Sequence, residues 1–154
     1  MDYRKAVNKA AALCSRQEYC SADIRKKLVA WELSEEEVEK GIEYLVHEKF
    51  IDDKRFAVYY VRDKFMFNGW GRIKISFQLR GKGVASSVID DALEQLDEGA
   101  YKEKLAELLH SKKRQIKNKD QWQTKAALAR FAQSRGYESD LVFRTIDQLL
   151  NNIT

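Results

Sequence analysis

One spacing of apolar residues returns three times along the chain, and it limits the fold more than any other feature. From Leu33 the apolar positions Val38, Ile42 and Leu45 follow. From Val84 they are Ile89, Leu93 and Leu96, and from Tyr137 they are Val142, Ile146 and Leu149. The three sets share offsets of 5, 9 and 12, and they begin 51 and then 53 residues apart. A step of five followed by steps of four and three is a turn leading into one face of an α-helix. A period of this length holds three short helices with their turns. The expected architecture is therefore all-α: three tandem three-helix repeats at 1–51, 52–98 and 99–154, about nine helices, in an elongated, curved row. The chain of 154 residues contains no proline, so nothing in it forbids helix.

The junction before each third helix repeats as well: Glu32-Leu33-Ser34, Gly83-Val84-Ala85 and Gly136-Tyr137-Glu138. Gly83 and Gly136 suit the left-handed residue that closes a helix, while Ser34 with Glu37 forms a capping box. Glu32 stands where the other two copies have glycine, which predicts strain or a different turn there. Reading by period places helices at 3–15, 21–30 and 34–48, with Ser21 and Ser34 as N-caps. The next run from Asp52 or Asp53 to 68, then 72–82 and 86–96. The last three fall at 100–117, 120–135 and 138–151. Gly69 and Gly71 bracket Trp70 in a turn. Phe56, Tyr60 and Phe67 fall on one core stripe, whereas Tyr59, Phe65 and Trp70 fit it less well and are candidates for exposure.

Several function classes find no support. The apolar run 56–61 is far shorter than a membrane span, and Met1-Asp2-Tyr3 opens no signal peptide, so a cytoplasmic protein is expected. Cys14 and Cys20 lack the spacing and histidine neighbours of a zinc site and read as reduced thiols. His47 and His110 stand apart from any catalytic partner. Gly69-Trp70-Gly71 and Gly81-Lys82-Gly83 lack the spacing of a phosphate-binding loop. Asp52-Asp53 and Asp90-Asp91 read as helix caps and solvated faces. No cofactor or metal is expected, and the chain is expected to act by binding rather than by catalysis.

The net charge of +4 is unevenly spread. Residues 32–53 hold nine acids against Lys40 and Lys49, a local balance of −7. Residues 72–82 hold Arg72, Lys74, Arg80 and Lys82 with no acid. Residues 102–135 hold ten cations against Glu103, Glu107 and Asp120, a balance of +7. A basic field of this kind concentrates polyanions, with affinity that falls as salt rises. The alternative is that these lysines only keep a helical bundle soluble. No helix carries a convincing set of base-reading side chains, and 72–82 after the Gly-Trp-Gly turn is only a weak candidate.

The stretch Phe50-Ile51-Asp52-Asp53-Lys54-Arg55-Phe56-Ala57 with Tyr60-Val61-Arg62 resembles a motif of the RecX family of bacterial recombination regulators. So do Gly69-Trp70-Gly71-Arg72-Ile73 and Leu79-Arg80-Gly81-Lys82-Gly83-Val84. In the first repeat Arg16 and Ser21-Ala22-Asp23-Ile24-Arg25-Lys26-Lys27-Leu28 are similar to the family's pattern, as are Ala129-Arg130-Phe131 and Arg135-Gly136-Tyr137 in the third. The departures are Lys49 and Glu32 where glycine is usual, and Gln78 where an acid is common.

The resemblance implies a cytoplasmic protein, expected to be a monomer, that lies in the groove of the RecA recombinase filament on single-stranded DNA. The resemblance implies damping of filament growth, ATP hydrolysis, strand exchange and coprotease activity, with no catalytic residues. Arg72, Lys74, Arg80 and Lys82 in the second repeat, and Lys112, Lys113, Arg114, Lys125 and Arg130 in the third, are the expected contacts to DNA or filament. A helical DNA-binding protein or transcriptional regulator independent of RecA is the alternative, and a salt-insensitive protein scaffold is a third reading.

Overall fold

The structure, a computed structural model, describes residues 1–151. Among them are nine α-helices and no strand: α1 Tyr3–Arg16, α2 Ser21–Ala30, α3 Glu35–His47, α4 Asp53–Asn68, α5 Arg72–Gly81, α6 Ser86–Glu94, α7 Glu98–Gln115, α8 Gln121–Ser134 and α9 Ser139–Asn151. The residues group into two compact units, one formed by Met1–Tyr59 and Leu79–Ala92, the other by Tyr60–Gln78 and the chain from Leu93 onward. None of the helices is long and apolar enough to cross a membrane.

The repeated spacing marks buried positions because each set follows one face of the third helix of its repeat. In the first unit Leu33, Val38, Ile42 and Leu45 join Ala6, Val7, Ile24 and Leu28 in one core cluster. Val84 and Ile89 are buried too, whereas Leu93 and Leu96 are half-buried. In the second unit Tyr137, Val142 and Ile146 are buried, but the last core position is Leu150 rather than Leu149. Tyr101 lies at the centre of that unit, its ring 5.8 Å from Phe65 and 5.1 Å from Tyr137. This corrects the aromatic stripe of α4. Phe65 is buried against Tyr101, while Phe67, expected in the core, is 80% exposed.

All three junctions make the same turn. Leu33, Val84 and Tyr137 donate their N–H groups to the carbonyls of Leu28, Leu79 and Ala132, five residues back. Glu32, Gly83 and Gly136 donate to Val29, Arg80 and Gln133, three back. This is the paired closure that needs a left-handed residue, and Glu32 (φ 67°) adopts it as do Gly83 (φ 80°) and Gly136 (φ 91°). Of the two expectations for Glu32, strain is therefore the one that holds. Lys49 (φ 63°) ends α3 by the same closure, Phe50 N–H reaching the Leu45 carbonyl. A side chain in this region costs about 1–2 kcal/mol, part of which glycine returns through its freer unfolded chain. Glu32→Gly and Lys49→Gly are each expected to stabilise the protein by about 0.5–1 kcal/mol, read as a rise in urea midpoint. An unchanged midpoint would mean that neighbouring contacts offset the backbone cost.

The Ser34–Glu37 capping box forms as expected, whereas Ser21 is the first residue of α2 rather than its cap. Cys20 at the cap position makes no side-chain hydrogen bond to the first turn of α2. Instead Asp53, at the start of α4, accepts the Ser21 N–H and hydroxyl, both at 2.9 Å. Cys20 Sγ lies 3.9 Å from the Lys82 carbonyl, and burial pushes its thiol up to about 11. The start of the second helix in repeat one is thus completed by repeat two.

The second unit repeats the device one period later. The N–H of Gly71 donates to the Arg135 carbonyl (2.7 Å), that of Arg72 to the Tyr101 hydroxyl (2.9 Å) and that of Ile73 to the Gly136 carbonyl (2.9 Å). Here the backbones pass so closely that a Cβ on Gly71 would sit 2.5 Å from the Gly136 oxygen. A Cβ on Gly136 would run into Lys74, 2.5 Å from its nitrogen. We refer to these two arrangements as the first and second joints.

Candidate nucleic-acid interface

In the second unit α7 ends in Lys112, Lys113 and Arg114, cations placed where the helix end concentrates carbonyl partial charge. The helix stops at Gln115, two residues before the expected end at 117. Ile116 turns to extended backbone, and Asn118 takes a left-handed conformation (φ 60°) between Lys117 and Lys119. A capping box between Asp120 and Gln123 then starts α8. This short loop turns α7 back along α8 and leaves an open cleft of about 650 Å³. Lys112, Lys117, Lys119 and Arg130 line it together with Ile116 and Phe131, and no acid is among the lining residues. The Lys112 ammonium lies 5.3 Å from the centre of the Phe131 ring and the Arg135 guanidinium 5.0 Å from it. Four cations lining one open concavity make an electrostatic trap for anions.

Of the nine cations expected to touch DNA or filament, the cleft brings together Lys112 and Arg130. Arg80 and Arg114 are exposed and Lys113 is half-buried outside the cleft. The remaining four are engaged with their own chain. Arg72 binds Glu138 at 2.8 Å and Glu98 at 2.5 Å, and its guanidinium lies 3.8 Å from the centre of the Tyr101 ring. Lys74 and Lys64 both rest on Trp70, at 4.6 and 5.3 Å from the ring centre. Lys82 pairs with Asp23 at 3.3 Å, and Lys125 with Asp147 at 2.8 Å. The sequence does not single out Lys117 and Lys119, because a helix read as running to 117 hides the loop that places these exposed side chains along the cleft.

Arg72 belongs to the second joint. Its backbone N–H and its side chain both reach partners from α7 and the α8–α9 turn, and the Tyr101 hydroxyl donates in turn to Glu138. Burial alone would raise the Glu138 pKa, but the hydrogen bonds from Tyr101 and Arg72 outweigh it and hold the carboxyl below its ordinary value. Burial and the bond to Glu138 push the Tyr101 phenol well up, so it stays a donor.

Two family models match the chain: RecX, second three-helix domain, over residues 52–93, and RecX, third three-helix domain, over 100–146. The regulatory protein RecX of Prosthecochloris aestuarii is 31% identical over 151 residues, a span covering 98% of this chain and 97% of that relative. The chain belongs to the RecX family. A crystal structure of a regulatory protein RecX superimposes with a TM-score of 0.86 at 29% identity, over 95% of this chain and 71% of that one. RecX from Lactobacillus salivarius shares the fold at a TM-score of 0.87 and 23% identity, over 98% of this chain and 97% of its own. RecX proteins are regulators, and that is the role of the family to which this chain belongs. In RecX terms the cationic cleft lies wholly in the third three-helix domain, and the second joint ties residues 71–73 of the second domain to residues of the third.

Proposed function

We propose that this RecX protein binds the RecA recombinase filament on single-stranded DNA and restrains its growth, and with it ATP hydrolysis, strand exchange and coprotease activity. It acts by binding, not by catalysis, as a cytoplasmic monomer, with its repeats 1–51, 52–98 and 99–154 as the functional modules. The observation that carries this reading is an acid-free cationic cleft in a chain of a regulatory family. Lys112 and Arg130 in the cleft and the exposed Arg80 and Arg114 face the polyanion. Arg72, Lys74, Lys82 and Lys125, held by partners in their own chain, add to the field. The acidic α3, with Glu35, Glu36 and Glu37 in its first turn, suits a basic protein surface instead.

Regulation of duplex DNA without a recombinase finds less support. The exposed side chains of α5 include Ile73 and Phe77, which offer no hydrogen bonds to base edges, and Arg72 at its start is occupied. The test is RecA ATPase on single-stranded DNA with the protein titrated in. The expected result is a fall in rate at less than one protein per RecA, weakening as salt is raised. An unchanged rate and filament lifetime would overturn the reading.

A further inference from the structure

The largest exposed side chain of the second unit has no role in its core. Trp122, in the first turn of α8, is 79% exposed, and with Phe143, Ala126 and Ala129 it lines a shallow apolar groove. Positions 122, 126, 129 and 130 follow one another at helical spacing, so they share a face of α8. Arg130 closes that face, and the same Arg130 lines the cationic cleft. An apolar aromatic floor and a cluster of four cations therefore meet at one guanidinium. No acid lines the groove; Lys125 on its edge is paired with Asp147, and Asp120, next in sequence to Lys119 of the cleft, is bonded to the Gln123 N–H at 2.7 Å.

We infer that α8 carries a single-strand DNA subsite in which Trp122 stacks an unpaired base while Lys112, Lys117, Lys119 and Arg130 hold the adjoining phosphates. The inference rests on the proposal that this chain meets single-stranded DNA, and it adds the base platform and the strandedness. An indole face standing open beside phosphate-binding cations matches an unstacked strand, in which each base offers a π-face a few ångströms from its backbone charge. In a duplex the faces are stacked against one another, and an exposed tryptophan gains nothing from them. An acidic peptide would satisfy the cations, but it lacks the regular pairing of flat ring and anion that these two adjoining surfaces repeat.

The full chain is titrated with a fifteen-residue oligothymidylate, read by tryptophan fluorescence and anisotropy across a salt series, with no recombinase present. Binding is expected to quench fluorescence in the wild type, with the quench greatly reduced in Trp122→Phe. Trp122→Ala is expected to bind about tenfold more weakly, on the scale of one lost base stack, with its salt dependence unchanged. The double variant Lys117→Gln/Lys119→Gln should keep the quench at saturation, while its log–log salt slope becomes shallower by about 1.4. Wild-type affinity in Trp122→Ala would overturn the subsite, as would equal competition by a duplex of the same length. Displacement of the oligonucleotide by polyglutamate at matched charge concentration would assign the surface to an acidic protein instead. Because RecA is absent, these outcomes are separate from the ATPase result. The subsite can fail while filament regulation stands, and the reverse also holds.

Discussion

Gly136→Ala is expected to destabilise the protein by about 3 kcal/mol or more, an effect large enough to unfold a small domain near physiological temperature. Two costs add. An alanine at φ 91° carries the left-handed penalty of about 1–2 kcal/mol. Its Cβ would also enter space held by the backbone of Lys74, and relieving such an overlap costs about 1–3 kcal/mol more. The same turn in the preceding repeat provides the control. Gly83 has φ 80°, but the nearest atom to an added Cβ is Ala22 Cβ at 3.8 Å, an ordinary contact. Gly83→Ala is therefore expected to cost only about 1 kcal/mol, the backbone term alone. Urea unfolding of both variants decides the matter. Equal losses would show that the close passage of backbones at the second joint contributes nothing.

Replacing Arg72 by leucine is expected to cost about 2 kcal/mol, although the residue was first singled out as a contact to DNA. The variant leaves Glu138 half-buried without its cation, while Tyr101 still donates to it. The loss should depend on pH, and its sign follows from the depressed carboxyl. A group whose folded pKa lies below the unfolded value, about 4.3 for glutamate, stabilises the fold above that value. The contribution disappears as pH falls through the folded value. Wild type and Arg72→Leu should therefore differ in urea midpoint at pH 7 and converge in acid. A gap that persists at pH values low enough to protonate Glu138 in the folded protein would assign the loss to packing on the Tyr101 ring instead of to the ion pair.

The parts of this structure that are legible in the chain are those set by neighbours in sequence. Helix faces, the Ser34 cap and the three closures follow from residues within five positions of one another, so their spacing announces them. Glu32 shows the limit of residue preference, because the local hydrogen bonds impose the glycine conformation on a residue that resists it. The joints are not legible, since each depends on partners in the next repeat. Ser21 looks like a cap until Asp53 is found to bind it, and Phe65 looks exposed until Tyr101 is placed beside it. Counting charge fails at Arg72 for the same reason: Glu138 lies 66 residues away in sequence. The basic character of the third repeat was visible, but the cleft was not, because its shape depends on α7 stopping at Gln115 and on the turn at Asn118.

The joints also have a direction, and this bears on how the chain folds as it is made. Repeats one and two each begin their second helix without a cap of their own, and what completes them lies further along the chain. On a ribosome that supplies residues from the amino end, the start of α2 stays open until Asp53 emerges, and the start of α5 until Tyr101, Arg135 and Gly136 have followed. The third repeat alone starts its second helix with its own box, Asp120 with Gln123. The third repeat is thus the one able to start its second helix unaided, while those helix starts in the first two repeats are finished only when residues further along the chain arrive, although the core of the first repeat is complete within residues 6–51.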